Sequence, residues 1–158
     1  FGPTHPTVAT ILDNLAQLLQ ATNRITEAEP LMRRALEIDE KTFGPTHPMA
    51  AIRLNNLAQL LKATNRMAEA EPLMRRALEI DEKAFGPAHP SVAIQLNNLA
   101  LLLKATNRVA EAESVMRRAL EIFTVSLGSD HPHTVLVRNN LGALEEELRK
   151  SKTGQDKE

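Results

Sequence analysis

Four asparagines, Asn14, Asn56, Asn98 and Asn140, stand 42 residues apart, preceded in turn by Asp13, Asn55, Asn97 and Asn139. A carboxamide offers two N–H donors and a carbonyl acceptor, so a ladder of them can hold the backbone of an extended peptide without reading its side chains. Asn is also a mediocre helix former, because its amide competes for backbone hydrogen bonds, and its recurrence inside a helical pattern needs a reason. Two stand side by side: contact with a peptide, or links between neighbouring helices. The histidines His5, His47, His89 and His131 follow the same period. Equivalent atoms in successive helical layers lie roughly 8–10 Å apart, whereas zinc needs each nitrogen about 2.0–2.1 Å from one ion. His131 and His133 are closer, but i, i+2 residues do not share a helix face. A helix-starting loop role is expected for them, and no metal. Neither a nucleophile with its base nor a glycine-rich phosphate loop is present, so no catalytic residue, cofactor or enzymatic activity is expected.

The elements that carry the ladder follow from the period. Phe1-Gly2-Pro3-Thr4-His5-Pro6 returns as Phe43-Gly44-Pro45-Thr46-His47-Pro48, as Phe85-Gly86-Pro87-Ala88-His89-Pro90, and in altered form as Leu127-Gly128-Ser129-Asp130-His131-Pro132. A fixed period of about 20–50 residues is the signature of a stacked repeat array. In the first unit Pro6 opens a helix, and Val8, Ile11, Leu12, Leu15, Ala16, Leu18 and Leu19 follow in amphipathic spacing. Leu12, Leu15, Ala16 and Leu19 fall on one side of the wheel, and Thr10, Asp13, Asn14, Gln17 and Ala21 on the other. Asn23 ends that helix in a slot that accepts the left-handed conformation. A second helix is predicted from about Ile25 to Lys41, closed by Gly44. Pro30 and Pro72 are accommodated if that helix starts near Thr26 or Ala68. Its ladder Glu29, Arg33, Glu37, Lys41, repeated from Glu71 to Lys83, has the acid-before-base i, i+4 spacing of a solvated face. The arginine pairs 33–34, 75–76 and 117–118 are neutralised by those glutamates.

The predicted architecture is all-α, a right-handed α-solenoid with repeats at 1–42, 43–84 and 85–126, a capping helix at 127–149 and a disordered tail at 150–158. Arg138 and Glu145 replace the leucines that face a second helix in earlier units, as a polar terminal cap requires. In the third unit Phe123-Thr124-Val125 replaces the charged Asp39-Glu40-Lys41 and Asp81-Glu82-Lys83, an apolar patch for the capping helix or for a partner. The N-terminus, by contrast, has the look of a cut end, and near-identical units permit end-to-end self-association. A net charge of −1 argues for neither nucleic acid nor a membrane surface. The absence of cysteine excludes a disulfide framework and suits a cytoplasmic location.

The order of small and large residues, with Leu-Asn-Asn-Leu-Ala in first helices and Glu-Ala-Glu-Pro-Leu…Arg-Ala-Leu-Glu-Ile in second helices, resembles the tetratricopeptide repeat. The 42-residue form is similar to the kinesin light chain repeats and to bacterial and nephrocystin-like arrays. The resemblance implies that first helices line a concave wall. It implies also that the second Asn of each pair, Asn14, Asn56, Asn98 and Asn140, clasps a peptide backbone, with Asn55, Asn97, Gln17 and Gln59 beside them. Lys62 and Lys104, with Arg53 nearer the edge, would make the middle of that wall basic, between Asp13 and Glu146 at its ends. A scaffold for an extended, acidic peptide is the expected function. The alternatives are a structural or sensor array serving an absent N-terminal effector domain, or a self-association module. No Trp or Tyr is present, so aromatic cargo pockets of the kinesin type are not expected.

Overall fold

The computed structural model describes Gly2 and residues 4–155, with the side chains of 152, 154 and 155 left aside. Seven helices follow one another: α1 (Pro6–Ala21), α2 (Ile25–Phe43), α3 (Pro48–Ala63), α4 (Met67–Phe85), α5 (Pro90–Ala105), α6 (Val109–Leu127) and α7 (Pro132–Gln155). There is no strand among the described residues. The chain divides into two compact units, Phe1–Ala84 and Phe85–Glu158.

Each first helix is started by its histidine. Nδ1 of His5, His47 and His89 accepts the backbone N–H of the residue two positions on, at 3.1 to 3.2 Å, which satisfies a donor that has no partner inside the helix. The proline between them presets φ for the first turn. Phe43 stacks on His47 at 4.8 Å and Phe85 on His89 at 4.7 Å, so the loop fastens the end of one helix to the start of the next. Asn23, Asn65 and Asn107 take φ of 60 to 62°, and the following arginine N–H reaches back to Leu19, Leu61 or Leu103 at 2.8 to 2.9 Å, the six-to-one bond of a Schellman cap.

In the first unit, α1 and α2 close on Ala9, Ala35 and Ile38, flanked by Val8 and Leu12. Then α3 and α4 close on Ala50, Ala51, Leu54, Ala77 and Ile80, with Leu36 of α2 packed against that cluster. Alanine at these positions lets helix axes approach, and large residues fill the remaining space. In the second unit Met116, Ala119 and Phe123 of α6 are buried, as are Leu99 and Leu103 of α5 and Val137, Leu141 and Leu144 of α7.

As expected, α2 starts at Ile25 and α4 at Met67, which leaves Pro30 and Pro72 in the second turn of their helices. Two local expectations are revised. First, α7 runs beyond Arg149 to Gln155, so residues 150–155, assigned to a disordered tail, are helical, while 156–158 lie outside the described residues. No proline stops it, and the Ser151 and Thr153 hydroxyls donate to carbonyls on the preceding turn. Second, Leu15 is exposed rather than core.

The outer ladder forms as spaced: Arg33–Glu29 and Arg75–Glu71 at 2.8 Å, Lys41–Glu37 at 2.6 Å. Arg66 bridges Glu29 of the previous helix pair and Glu69 of its own. Hydrogen bonds from Arg66 hold the Glu29 and Glu69 carboxyls below the usual carboxylate range, and Lys41 and Lys83 do the same for Glu37 and Glu79. A carboxyl whose folded pKa is depressed stabilises the fold above its unfolded value, here 4.5, and loses that contribution as pH falls through the folded value. Thermal melting followed by circular dichroism should therefore give a Tm that is flat from neutral pH to about 5 and drops below about 4.5. A Tm that holds as the pH is taken well below 4.5 would mean that the ladder adds nothing.

Candidate functional site

The amide ladder is built in pairs of neighbouring first helices. In the first unit Asn56 donates from Nδ2 to Asp13 Oδ2 at 2.9 Å, and Gln17 donates to the same oxygen at 2.9 Å. In the second unit Asn140 donates to Asn97 Oδ1 at 3.4 Å. The first residue of one pair thus accepts from the second residue of the next, so the amides do link neighbouring helices. Each donor keeps an N–H and a carbonyl oxygen for further bonds. Asn14 lies exposed, and Gln59 is half-buried on α3; neither has a hydrogen-bond partner among the described residues. Asn55 and Asn98 are half-buried and already engaged.

The charges do not lie where the wheel puts them. Asp13 and Arg53, expected on the wall, are buried at 2% and 4% exposure, together with Asp39 at 1%. Arg53 donates from Nε to Asp39 at 2.8 Å, lies 3.0 Å from Asp13 through Nη1, and reaches Thr10 at 3.2 Å through Nη2. The guanidinium fork suits such a bridge, and the triad fastens α3 to both α1 and α2. The same register is polar one repeat later, with Asp81 and Gln95 buried, and apolar at the next, with Phe123 and Val137 buried. This polar-to-apolar series is visible when residues 42 apart are compared in pairs.

Of the two lysines, Lys62 is half-buried with no ion pair among the described residues, and burial pushes its pKa down. Lys104 lies 3.5 Å from Glu147, and Glu146 is occupied by Lys150 at 2.7 Å. One recurrent feature escapes the asparagine-centred reading: Ile52, Ile94 and Leu136 are exposed apolar residues, each one helical turn ahead of Asn56, Asn98 or Asn140. The signal was present, because a β-branched or aliphatic residue returns every 42 positions on the polar side of the wheel. Among the described residues no group of three His, Cys, Asp or Glu could hold a metal, and no helix is long and apolar enough to cross a membrane.

Stacked helix pairs with capped turns and a repeated polar stripe define an all-α interaction scaffold of the α-solenoid class. The tetratricopeptide repeat model matches residues 7–83, 54–124 and 91–153; the chain belongs to the tetratricopeptide repeat family. Such repeats mediate protein–protein interaction, and the fold is typically a non-catalytic scaffold. No curated protein matches the chain by sequence. Among solved structures it is similar to BtubC (BKLC) from P. vanneervenii, at 28% identity and TM-score 0.82 over 90% of this chain and 57% of that one. It is similar also to a putative kinesin light chain with nearly identical repeats from Podosopora anserina, at 26% identity and TM-score 0.80, covering 89% and 66%. The chain thus spans less than two thirds of these relatives. The first tetratricopeptide domain of Spaghetti (RPAP3), bound to the HSP90 peptide SRMEEVD, shares the fold alone, at 15% identity and TM-score 0.67 over 92% and 96%.

Proposed function

We propose that the chain is a scaffold that holds an extended peptide against the exposed stripes of its first helices. The observation that carries this reading is the repeated register of an apolar side chain one turn ahead of a carboxamide: Ile52 with Asn56, Ile94 with Asn98, Leu136 with Asn140. An aliphatic side chain gives a peptide residue something to cover, and the amide beside it can meet a backbone N–H or C=O. The bond from Asn56 to Asp13 fixes the rotamer of that amide in advance, which lowers the entropy lost on binding. Lys62, partly desolvated and without an ion pair among the described residues, gains a partner if the ligand brings a carboxylate, so an acidic ligand is favoured. Lys104, which already has Glu147 nearby, is the weaker selector.

A peptide-array screen followed by titration of the best binders tests it. Asn14→Ala removes an amide that holds nothing in the fold, and Asn56→Ala/Asn98→Ala removes two more. Each should weaken binding several-fold, about 0.5–1.5 kcal/mol per hydrogen bond lost. Lys62→Met should abolish the preference for acidic peptides while raising Tm slightly, since a desolvated, unpaired cation no longer has to be accommodated. An array without binders, or variants that bind as well as the parent, would reject the reading.

A further inference from the structure

Asp13 of α1 and Asn97 of α5 hold the same register, and each accepts from an asparagine on the next first helix. The two rungs are chemically unlike. Asp13 Oδ2 receives Asn56 at 2.9 Å and Gln17 at 2.9 Å, and lies 3.0 Å from Nη1 of Arg53. A carboxylate has no hydrogen to give, so the amide nitrogen of Asn56 must face it and the carbonyl oxygen must point elsewhere. That oxygen has no partner among the described residues. The other rung spans 3.4 Å between two carboxamides. Asn97 and Asn140 can turn over together and exchange donor for acceptor, so their rung has no fixed polarity.

The buried triad is what allows a carboxylate to stand under Asn56. Asp13, Arg53 and Asp39 are 2%, 4% and 1% exposed. A bare carboxylate at that depth would be costly to desolvate and would repel an acidic ligand, and the guanidinium offsets both. Arg53 is itself held by Asp39 at 2.8 Å. Asp39, Arg53, Asp13 and Asn56 therefore form one chain of polar contacts, from the buried side of α2 to the half-buried stripe of α3.

We propose that Asp13 is a positioning residue of the peptide site, which locks Asn56 so that its carbonyl oxygen accepts a backbone N–H of the ligand. This rests on the scaffold reading above and gives that reading a polarity. A ligand residue that lacks an N–H, proline or an N-methylated one, is refused opposite Asn56. It is tolerated opposite Asn140, whose amide can turn to offer a donor to a ligand carbonyl instead.

A backbone N-methyl scan of the best peptide binder, titrated against parent and variants, is the test. In the parent, methylation at one ligand position should weaken binding roughly 2- to 10-fold, the effect of one hydrogen bond, and Asn56→Ala should erase that intolerance. Asp13→Asn should shrink the penalty at that position with little change in Tm, because asparagine already stands at 55 and 97 and the Arg53–Asp39 pair remains. Asn97→Asp should do the converse and create a second intolerant position. Without ligand, nuclear magnetic resonance should find one Nδ2 hydrogen of Asn56 exchanging with water several-fold more slowly than those of Asn140, and Asp13→Asn should remove the difference. A scan that Asp13→Asn leaves unchanged, an intolerance that survives Asn56→Ala, or equal exchange at Asn56 and Asn140 would each overturn the lock while the scaffold reading stands. An array without binders overturns both.

Discussion

Arg53→Val is expected to destabilise the first unit by about 3–5 kcal/mol, the usual consequence of removing one partner from a buried ionic group. Asp13 and Asp39 would be left as buried carboxylates with no cation between them, and each has an oxygen, Oδ1, without a hydrogen bond even in the intact triad. The protein itself shows how to repair the loss. Two repeats on, Asn97, Phe123 and Val137 occupy the register of Asp13, Asp39 and Arg53, and Phe123 and Val137 are buried. The triple variant Asp13→Asn/Asp39→Phe/Arg53→Val should recover most of the stability or exceed the parent, because well-packed apolar groups commonly match or outdo a buried ion cluster. Urea unfolding followed by circular dichroism distinguishes the outcomes. An Arg53→Val midpoint within experimental scatter of the parent would mean that water reaches the triad and screens it. A triple variant no better than the single one would mean that the apolar packing cannot be transplanted. Repeat arrays can lose two-state cooperativity, so the transition should be followed by a probe in each unit.

Phe123→Ala should have a comparable effect in the second unit, about 3–5 kcal/mol, from lost apolar burial together with the cavity left behind. The ring is 1% exposed and stacks on His133 of α7 at 5.6 Å. It is the largest fully buried side chain among the described residues, and it resolves the apolar patch expected at 123–125: Phe123 is core, whereas Val125 is exposed. Since α7 is the last helix of its unit, its docking should fail first. Hydrogen exchange is the discriminating readout. Amides from Val137 to Leu144 should lose protection in the variant while those of α1 to α3 do not, because each repeat leans mainly on its neighbours. Uniform loss of protection along the chain would instead show that the array unfolds as one block.

Most of the helical framework was legible in the residues. The 42-residue period, the apolar spacing and the punctuation by Asn23, Gly44 and their successors fix helices and turns through local chemistry, and these asparagines and glycines do take positive φ. The histidine loops were legible as helix starts. What needed tertiary structure is the fate of residues that a helical wheel places on the polar side. Asp13 and Arg53 lie 40 residues apart and Asp39 a further helix away, and a wheel knows only the partner within its own repeat. The approach of α1, α2 and α3 turns three charges that look solvated into a buried cluster, because the bridging guanidinium compensates both carboxylates at once. The same blindness runs the other way at α1, where Ile11, Leu15 and Leu18 have a core spacing but are exposed. Sequence alone therefore determined the repeat, its helices and their caps. Only the packing of one helix pair on the next decided which polar residues are structural links and which apolar ones are surface, since burial belongs to contacts between repeats and not to a position within one.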